Sequence, residues 1–155
     1  NFFAWRGQTQ WVRRLGDDFL LLLKGDIQLA GSGLVPLEQF RAGGVDSVRG
    51  YRQDSILGDN GIFTSAELRI PLFRIDKIGG LVQLATFFDL ATIWKSDDVE
   101  IADSTLPSIG VGLNFKAGNN FNARLDWGIP LTSVEAEGSS LQEDGVYFSL
   151  DYNFF

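Results

Sequence analysis

Apolar and polar residues alternate one for one along most of this chain. From Phe121 to Leu131 one face carries Phe121, Ala123, Leu125, Trp127, Ile129 and Leu131, and the other carries Asn122, Arg124, Asp126, Gly128 and Pro130. A period of two sends successive side chains to opposite sides of a pleated backbone, so the segment predicts a strand with one apolar and one polar face. Val146 to Phe154 repeats the pattern, with Val146, Phe148, Leu150, Tyr152 and Phe154 against Tyr147, Ser149, Asp151 and Asn153. Ile62 to Phe73 sets Ile62, Thr64, Ala66, Leu68, Ile70 and Leu72 against Phe63, Ser65, Glu67, Arg69, Pro71 and Phe73. Leu81 to Trp94, Ser108 to Ala117 and Phe19 to Ala30 alternate in the same way, and Phe3 to Arg14 more weakly. The sum is about seven strands of roughly ten residues or more, the length at which a tilted strand crosses a bilayer.

The connections alternate too. Leu15 to Asp18, Arg74 to Gly80 and Ala117 to Asn120 are short, whereas Gly31 to Gly61, Lys95 to Pro107 and Thr132 to Gly145 are long. Short turns at one end and long loops at the other mark an outer-membrane barrel, with turns in the periplasm and loops outside the cell. A soluble sandwich or barrel shares the alternating faces, but nothing obliges its connections to alternate in length. Strands cross hydrocarbon only as closed barrels, because an unpaired backbone N–H or C=O there costs several kcal/mol. The polar faces hold Arg6, Arg14, Lys24, Asp26, Glu67, Arg69, Asp89, Lys116, Arg124, Asp126 and Asp151, which are costly toward lipid and tolerable toward a wet lumen. Seven strands do not close a lumen wide enough for these charges. The chain is therefore expected to be part of a larger barrel, with further strands upstream.

Composition removes most other classes. The 155 residues include 13 Phe, 4 Trp and 18 Gly but no Cys, His or Met, which takes thiol, imidazole and zinc chemistry out of reach. A net charge of −7 and the lack of a basic stripe argue against nucleic acid as a partner. The acidic clusters Asp97, Asp98, Glu100 and Asp103, and Glu135, Glu137, Glu143 and Asp144, fall in long connections and read as solvated loop surface. No run approaches the ~20 apolar residues of a membrane helix. No basic start followed by an apolar stretch opens the chain, and no Gly-rich Lys-Ser/Thr loop suggests a nucleotide. No cofactor, metal or catalytic residue is implied, and an enzyme is not expected.

The longest connection narrows the function. It carries Phe40-Arg-Ala-Gly-Gly-Val-Asp-Ser-Val-Arg-Gly-Tyr51, then Gly58-Asp-Asn-Gly61, and leads into Ser65-Ala-Glu-Leu-Arg-Ile-Pro71. With Phe87-Phe88-Asp89 on the next strand, this order of elements resembles the two-partner secretion transporters, the TpsB family, within the superfamily of outer-membrane barrels preceded by POTRA domains. The resemblance spans essentially the whole chain and departs from the family's pattern at Ala91, where a Gly is common. It implies a transmembrane β-barrel of about sixteen strands, of which this chain supplies the last seven. Residues 31–61 become the sixth extracellular loop, folded back into the lumen with Val48, Arg49, Gly50 and Tyr51 at its tip. Glu67 and Asp89, on lumen-facing positions of consecutive strands, become the partners of Arg49, whose rigid guanidinium fork suits carboxylates.

The resemblance further implies an outer-membrane pore that exports an unfolded partner protein, with the bilayer and the barrel-assembly machinery as its other partners. Phe155 resembles the C-terminal aromatic signal read by that machinery, although the apolar face of the last strand ends one residue out of phase, on Phe154. An assembly factor that inserts other barrels shares the tetrad and its carboxylates and stays open as an alternative. Two POTRA domains and a plug helix upstream favour secretion, and a longer POTRA array favours assembly. A passive diffusion porin has no need of the tetrad loop.

Overall fold

A computed structural model describes residues 3–96, 105–132 and 144–153. The strands are β1 (Ala4–Arg14), β2 (Leu20–Ala30), β3 (Phe40–Ala42), β4 (Ile56–Gly58), β5 (Asn60–Ile75), β6 (Gly80–Trp94), β7 (Thr105–Ala117), β8 (Phe121–Pro130) and β9 (Val146–Tyr152). Seven of them form one sheet in the order β1-β2-β5-β6-β7-β8-β9, and every neighbouring pair is antiparallel. The sheet is therefore an up-and-down meander, with β3 and β4 set aside as a two-stranded ribbon inside the long loop.

Burial in this sheet is inverted relative to a water-soluble protein. On β8, Leu125, Trp127 and Ile129 are exposed while Asp126 and Gly128 are buried. On β6, Gln83, Phe87 and Asp89 are buried while Phe88 is exposed. Phe148 is 69% exposed and Asp89 is 0% exposed, so the apolar side faces out and the charged side faces in. Water gives no reason to expose a continuous apolar band, whereas lipid does. Leu113 and Leu125 face each other across β7 and β8 on this outer face.

One face assignment fails locally. The register of β5 against β6 shifts between Pro71 and Phe73, a bulge that leaves Leu72 without a partner and sets Phe73 opposite Val82. An extra residue in one strand reverses the alternation beyond it. Phe73, placed by strict alternation among the lumen-facing residues, thus joins the outward, lipid-facing side with Val82 and is exposed. The last residues of the chain, including Phe154 and Phe155, and the acidic clusters other than Asp144 lie outside the described residues.

The short connections, at residues 15–19, 76–79 and 118–120, share one end of the sheet, and the long ones share the other. The 31–59 loop leaves at the long-loop end and turns back over the buried face.

Candidate functional site

The loop is anchored first at its neck. Asp59 accepts hydrogen bonds from the backbone N–H of Leu34 at 2.8 Å and of Ser96 at 3.1 Å, and from the Gln39 amide at 3.2 Å. Burial opposes the charge on Asp59, but these donors outweigh it and hold its pKa below the ordinary carboxylate value. Gln28 donates to the carbonyls of Glu38 and Asp59, and Asn60 accepts from the Ala30 N–H while donating to Ser96. The Gly58-Asp-Asn-Gly61 step owes its glycines to contact. A Cβ on Gly58 would stand 2.2 Å from the Ile93 side chain, and one on Gly61 2.2 Å from the Phe40 ring.

Below the neck a small dry core fastens the ribbon to the wall. Phe40, Ala42, Val48 and Tyr51 from the loop pack with Phe63 on β5, Ala91 and Ile93 on β6, and Leu106 on β7. Alternation alone gives no reason to expect apolar side chains on the lumen face at Ile93 and Leu106, where the loop covers them.

The tetrad lies between β3 and β4, at the far end of the loop. Arg49 grips Asp89 with both edges of its fork: Nε reaches Oδ2 at 2.7 Å and Nη2 reaches Oδ1 at 2.8 Å, and its own backbone N–H reaches Oδ2 at 3.1 Å. Its Nη1 reaches Glu67 at 2.5 Å. The guanidinium carbon stands 3.5 Å from the centroid of the Phe87 ring, which forms a cation–π floor beneath the fork. Ser65 donates to Asp89 at 2.6 Å and is in turn reached by Arg49 Nη2 at 3.3 Å. Burial works against the charge on Arg49, yet the bonds to Asp89 and Glu67 outweigh it and raise its pKa above the ordinary arginine value. The fork therefore stays charged. The Phe87-Phe88-Asp89 motif now has a division of labour, with Phe87 and Asp89 turned in against Arg49 and Phe88 turned out.

The two carboxylates are not equivalent. Glu67 also accepts both terminal nitrogens of Arg124, at 3.1 and 2.8 Å, and Nε of Arg69 at 2.7 Å. Arg124 is held by Asp126 as well, at 2.6 Å. Asp89 has Arg49 as its only cation among the described residues, with Ser65 as the neutral partner.

Gly50 and Tyr51 complete the seat. Gly50 adopts φ +105°, a left-handed backbone suited to glycine, and lies flat against β8. A Cβ on Gly128 would stand 2.5 Å from the carbonyl carbon of Arg49 and from the Gly50 nitrogen, so the approach is backbone to backbone. The Tyr147 hydroxyl on β9 accepts from the Gly50 N–H at 3.0 Å and donates to the Tyr51 carbonyl at 2.6 Å. The Tyr51 hydroxyl donates to the Pro107 carbonyl at 2.7 Å and accepts from the Thr132 N–H at 3.1 Å. Val48 is fully buried in the dry core. All six residues expected at the site, Val48, Arg49, Gly50, Tyr51, Glu67 and Asp89, thus converge on one place. Arg124, Asp126, Tyr147 and Gly128 also belong to it, and sequence reasoning did not single them out, while Phe87 of the Phe-Phe-Asp motif gains a role beneath Arg49. The only signal for most of them was a lumen-facing phase.

Among the described residues no group of His, Cys, Asp or Glu is arranged to hold a metal ion. The arrangement is a docking of backbone and charge. Comparison with known proteins points the same way. Two curated relatives, each called outer membrane transporter CdiB, are 28% identical over 131 residues in Escherichia coli strain 536 and 27% identical over 131 residues in Escherichia coli. Each alignment covers 84% of this chain and 22% of the relative, so the chain spans about a fifth of their length. The solved structure of CdiB from Escherichia coli superposes with a TM-score of 0.76 at 25% identity, covering 97% of this chain and 27% of that one. The family model described as the Omp85 superfamily domain matches residues 1–154. With its inside-out sheet and its loop docked on the inner face, the chain is an outer-membrane β-barrel segment that belongs to the Omp85 superfamily.

Proposed function

We propose that this chain is the C-terminal barrel part of a two-partner secretion pore, through which an unfolded partner protein leaves the periplasm for the cell surface. The observation that carries the proposal is the buried Arg49 fork, which ties a loop inside the barrel to two adjacent wall strands. A porin wall has no use for such a contact, whereas a pore that must open for a polypeptide needs a loop with a defined resting seat. Similarity to transporters named CdiB favours secretion over barrel assembly.

In this reading Arg49, Glu67 and Asp89 form a latch, Gly50 lets the tip lie against the wall, and Val48 and Tyr51 hold the turn that presents the arginine. The latch makes and breaks no covalent bond. Its work is to choose between a seated and a withdrawn loop. The aromatic C-terminal strand is the part read by the barrel-assembly machinery, and lipid covers Leu113, Leu125, Trp127 and Phe148. The test is export of the partner protein from cells that express the full-length transporter, wild type or Arg49→Ala, at matched levels in the outer membrane. Wild-type cells should export and the variant should lose most of that export. Equal export by both, or insertion of other barrels in place of export, rules the proposal out.

A further inference from the structure

The short-turn end of the inner wall carries a second polar site that the loop does not touch. A cavity of about 520 Å³ opens there, lined by Arg69 on β5, Asn114 and Lys116 on β7, the turn residue Asn119, Asn122 on β8 and Asp151 on β9. Its size falls within the ~300–1,000 Å³ of ordinary ligand sites. Short turns face the periplasm in this class of barrel, so the cavity sits where a polypeptide enters.

The register arranges its side chains as a ladder. Lys116 pairs with Asn122, and Asn122 with Asp151, so donor, amide and acceptor share one rung across β7, β8 and β9. Asn114, Arg124 and Ser149 form a rung two residues further into the barrel. This polar equipment is incompletely used. Lys116 has no ion pair among the described residues, and it feels the charge of another cation, Arg69. Arg69 gives Glu67 only its Nε, which leaves its terminal nitrogens without a partner among the described residues. The Asn122 carbonyl oxygen is shielded from solvent and accepts no hydrogen bond. A shielded acceptor without a donor costs about 1–3 kcal/mol. Such a group calls for a donor that the described residues do not supply.

The set of free groups indicates the ligand. Ammonium and guanidinium donors stand on one side and a carboxylate and an amide oxygen on the other, with Phe121 the large apolar side chain of the lining. A peptide group presents a C=O and an N–H, and an extended chain presents them at regular intervals. We infer that this rung is the entry site for the backbone of an extended polypeptide, held by Lys116 and Arg69 through its carbonyls and by Asn122 and Asp151 through its N–H groups. Recognition of this kind ignores side chains, as a pore that passes an entire unfolded protein requires. The inference rests on the secretion reading and gives that reading a contact point on the barrel wall.

The chain contains no cysteine, so Asn122→Cys places one thiol of this segment in the site. In cells making the full-length transporter, the partner is stalled in transit by a fast-folding domain fused to its C-terminus. The Asn122→Cys thiol should react with a small soluble maleimide when no partner is made. It should be protected in the stalled complex, where it forms disulfides with cysteines placed at many successive partner positions. Thr86→Cys, half-buried on the outer side of β6, should form none. Lys116→Gln should lower export about tenfold, equivalent to the ~1.4 kcal/mol of one weakened contact, and Lys116→Arg should restore most of it. Protection of the thiol without any partner means that another part of the transporter fills the site, and overturns the inference. So does normal export with no partner disulfide. Failure of the wild type to export at all overturns the secretion reading itself, and the entry site with it.

Discussion

The neck and the tip of the long loop are held to the same wall by different physics. At the neck, Asp59, Asn60 and Gln28 bind mostly backbone groups, and Phe40 packs on Gly61 and Ile93. At the tip, Arg49, Glu67 and Asp89 hold each other by charge, beside the buried Val48 and Tyr51 and the hydroxyl bonds of Tyr51 and Tyr147. The difference matters because the two kinds of contact fail differently. Pulling an apolar ring into water loses transfer free energy that nothing returns. Withdrawing a charged fork from a carboxylate into a wet lumen lets water rehydrate both, so much of the lost attraction is offset. Deleting one member of the pair leaves the other buried and alone, at a far higher cost. In the proposed latch, the neck stays and the charged fork of the tip leaves and returns.

The largest effects should separate these two roles. Arg49→Ala should cost about 3–5 kcal/mol in seating the tip, because Asp89 is left buried without a cation. Phe40→Ala should cost about the same, 3–5 kcal/mol, through loss of a fully buried ring. Their consequences differ. A Ser47→Cys reporter beside the tetrad should become open to a soluble maleimide in Arg49→Ala while the neck stays protected from protease. In Phe40→Ala both should open together. If Arg49→Ala also frees the neck, the loop is one cooperative unit and the distinction fails.

A smaller effect tests the tip without touching charge. Gly128→Ala puts a methyl group 2.5 Å from the Arg49 backbone, which has no flexible side chain to yield. Overpacking of this kind costs about 1–3 kcal/mol. The reporter at residue 47 should gain partial reactivity with all charges intact. Unchanged reactivity means that the tip tolerates displacement from β8.

Smaller again is a difference between the two carboxylates. Glu67 keeps Arg69 and Arg124 when Arg49 is removed, whereas Asp89 keeps only Ser65. Double-mutant cycles on seating should give a larger coupling for Arg49 with Asp89 than with Glu67, by about 1 kcal/mol or more. Equal couplings would show that Arg124 does not shield Glu67.

These features were unequally legible in the sequence. Strands and faces were readable because side-chain direction in a strand depends only on parity, and parity is local. Phe73 escaped because a bulge changes parity without any signature in the alternation. The β3–β4 ribbon escaped because a three-residue strand has no period to read. Glu67 and Asp89 were found by phase together with family resemblance. Arg124 and Tyr147 had the right phase too, but their partners lie 57 and 97 residues away. Which lumen-facing group meets which is set by strand order and register, and alternation carries neither. Gly128 looked like an ordinary small residue until the loop backbone was found against it.

The last expected effect concerns acid and the neck. Asp59 lies outside the spanning strands and has a pKa below its ordinary value, since the N–H groups of Leu34 and Ser96, the Gln39 amide and the charge of Lys95 favour its ionised form against burial. A carboxylate depressed in the folded state contributes stability that is present above its unfolded pKa of about 3.9 and disappears as pH falls through the lower folded value. Nothing should change at the neck between neutral pH and about pH 4, and protection should then weaken on further acidification. Asp59→Asn should remove that dependence. Its amide oxygen can still accept from Leu34, but its NH2 meets the Ser96 N–H donor to donor, so the neck should be weaker by about 1–2 kcal/mol at every pH. Protease protection of residues 31–39, compared between wild type and Asp59→Asn from pH 7 down to about pH 3, reads both effects. Parallel curves with the same acid midpoint would assign the titration to another group and leave Asp59 a neutral strut.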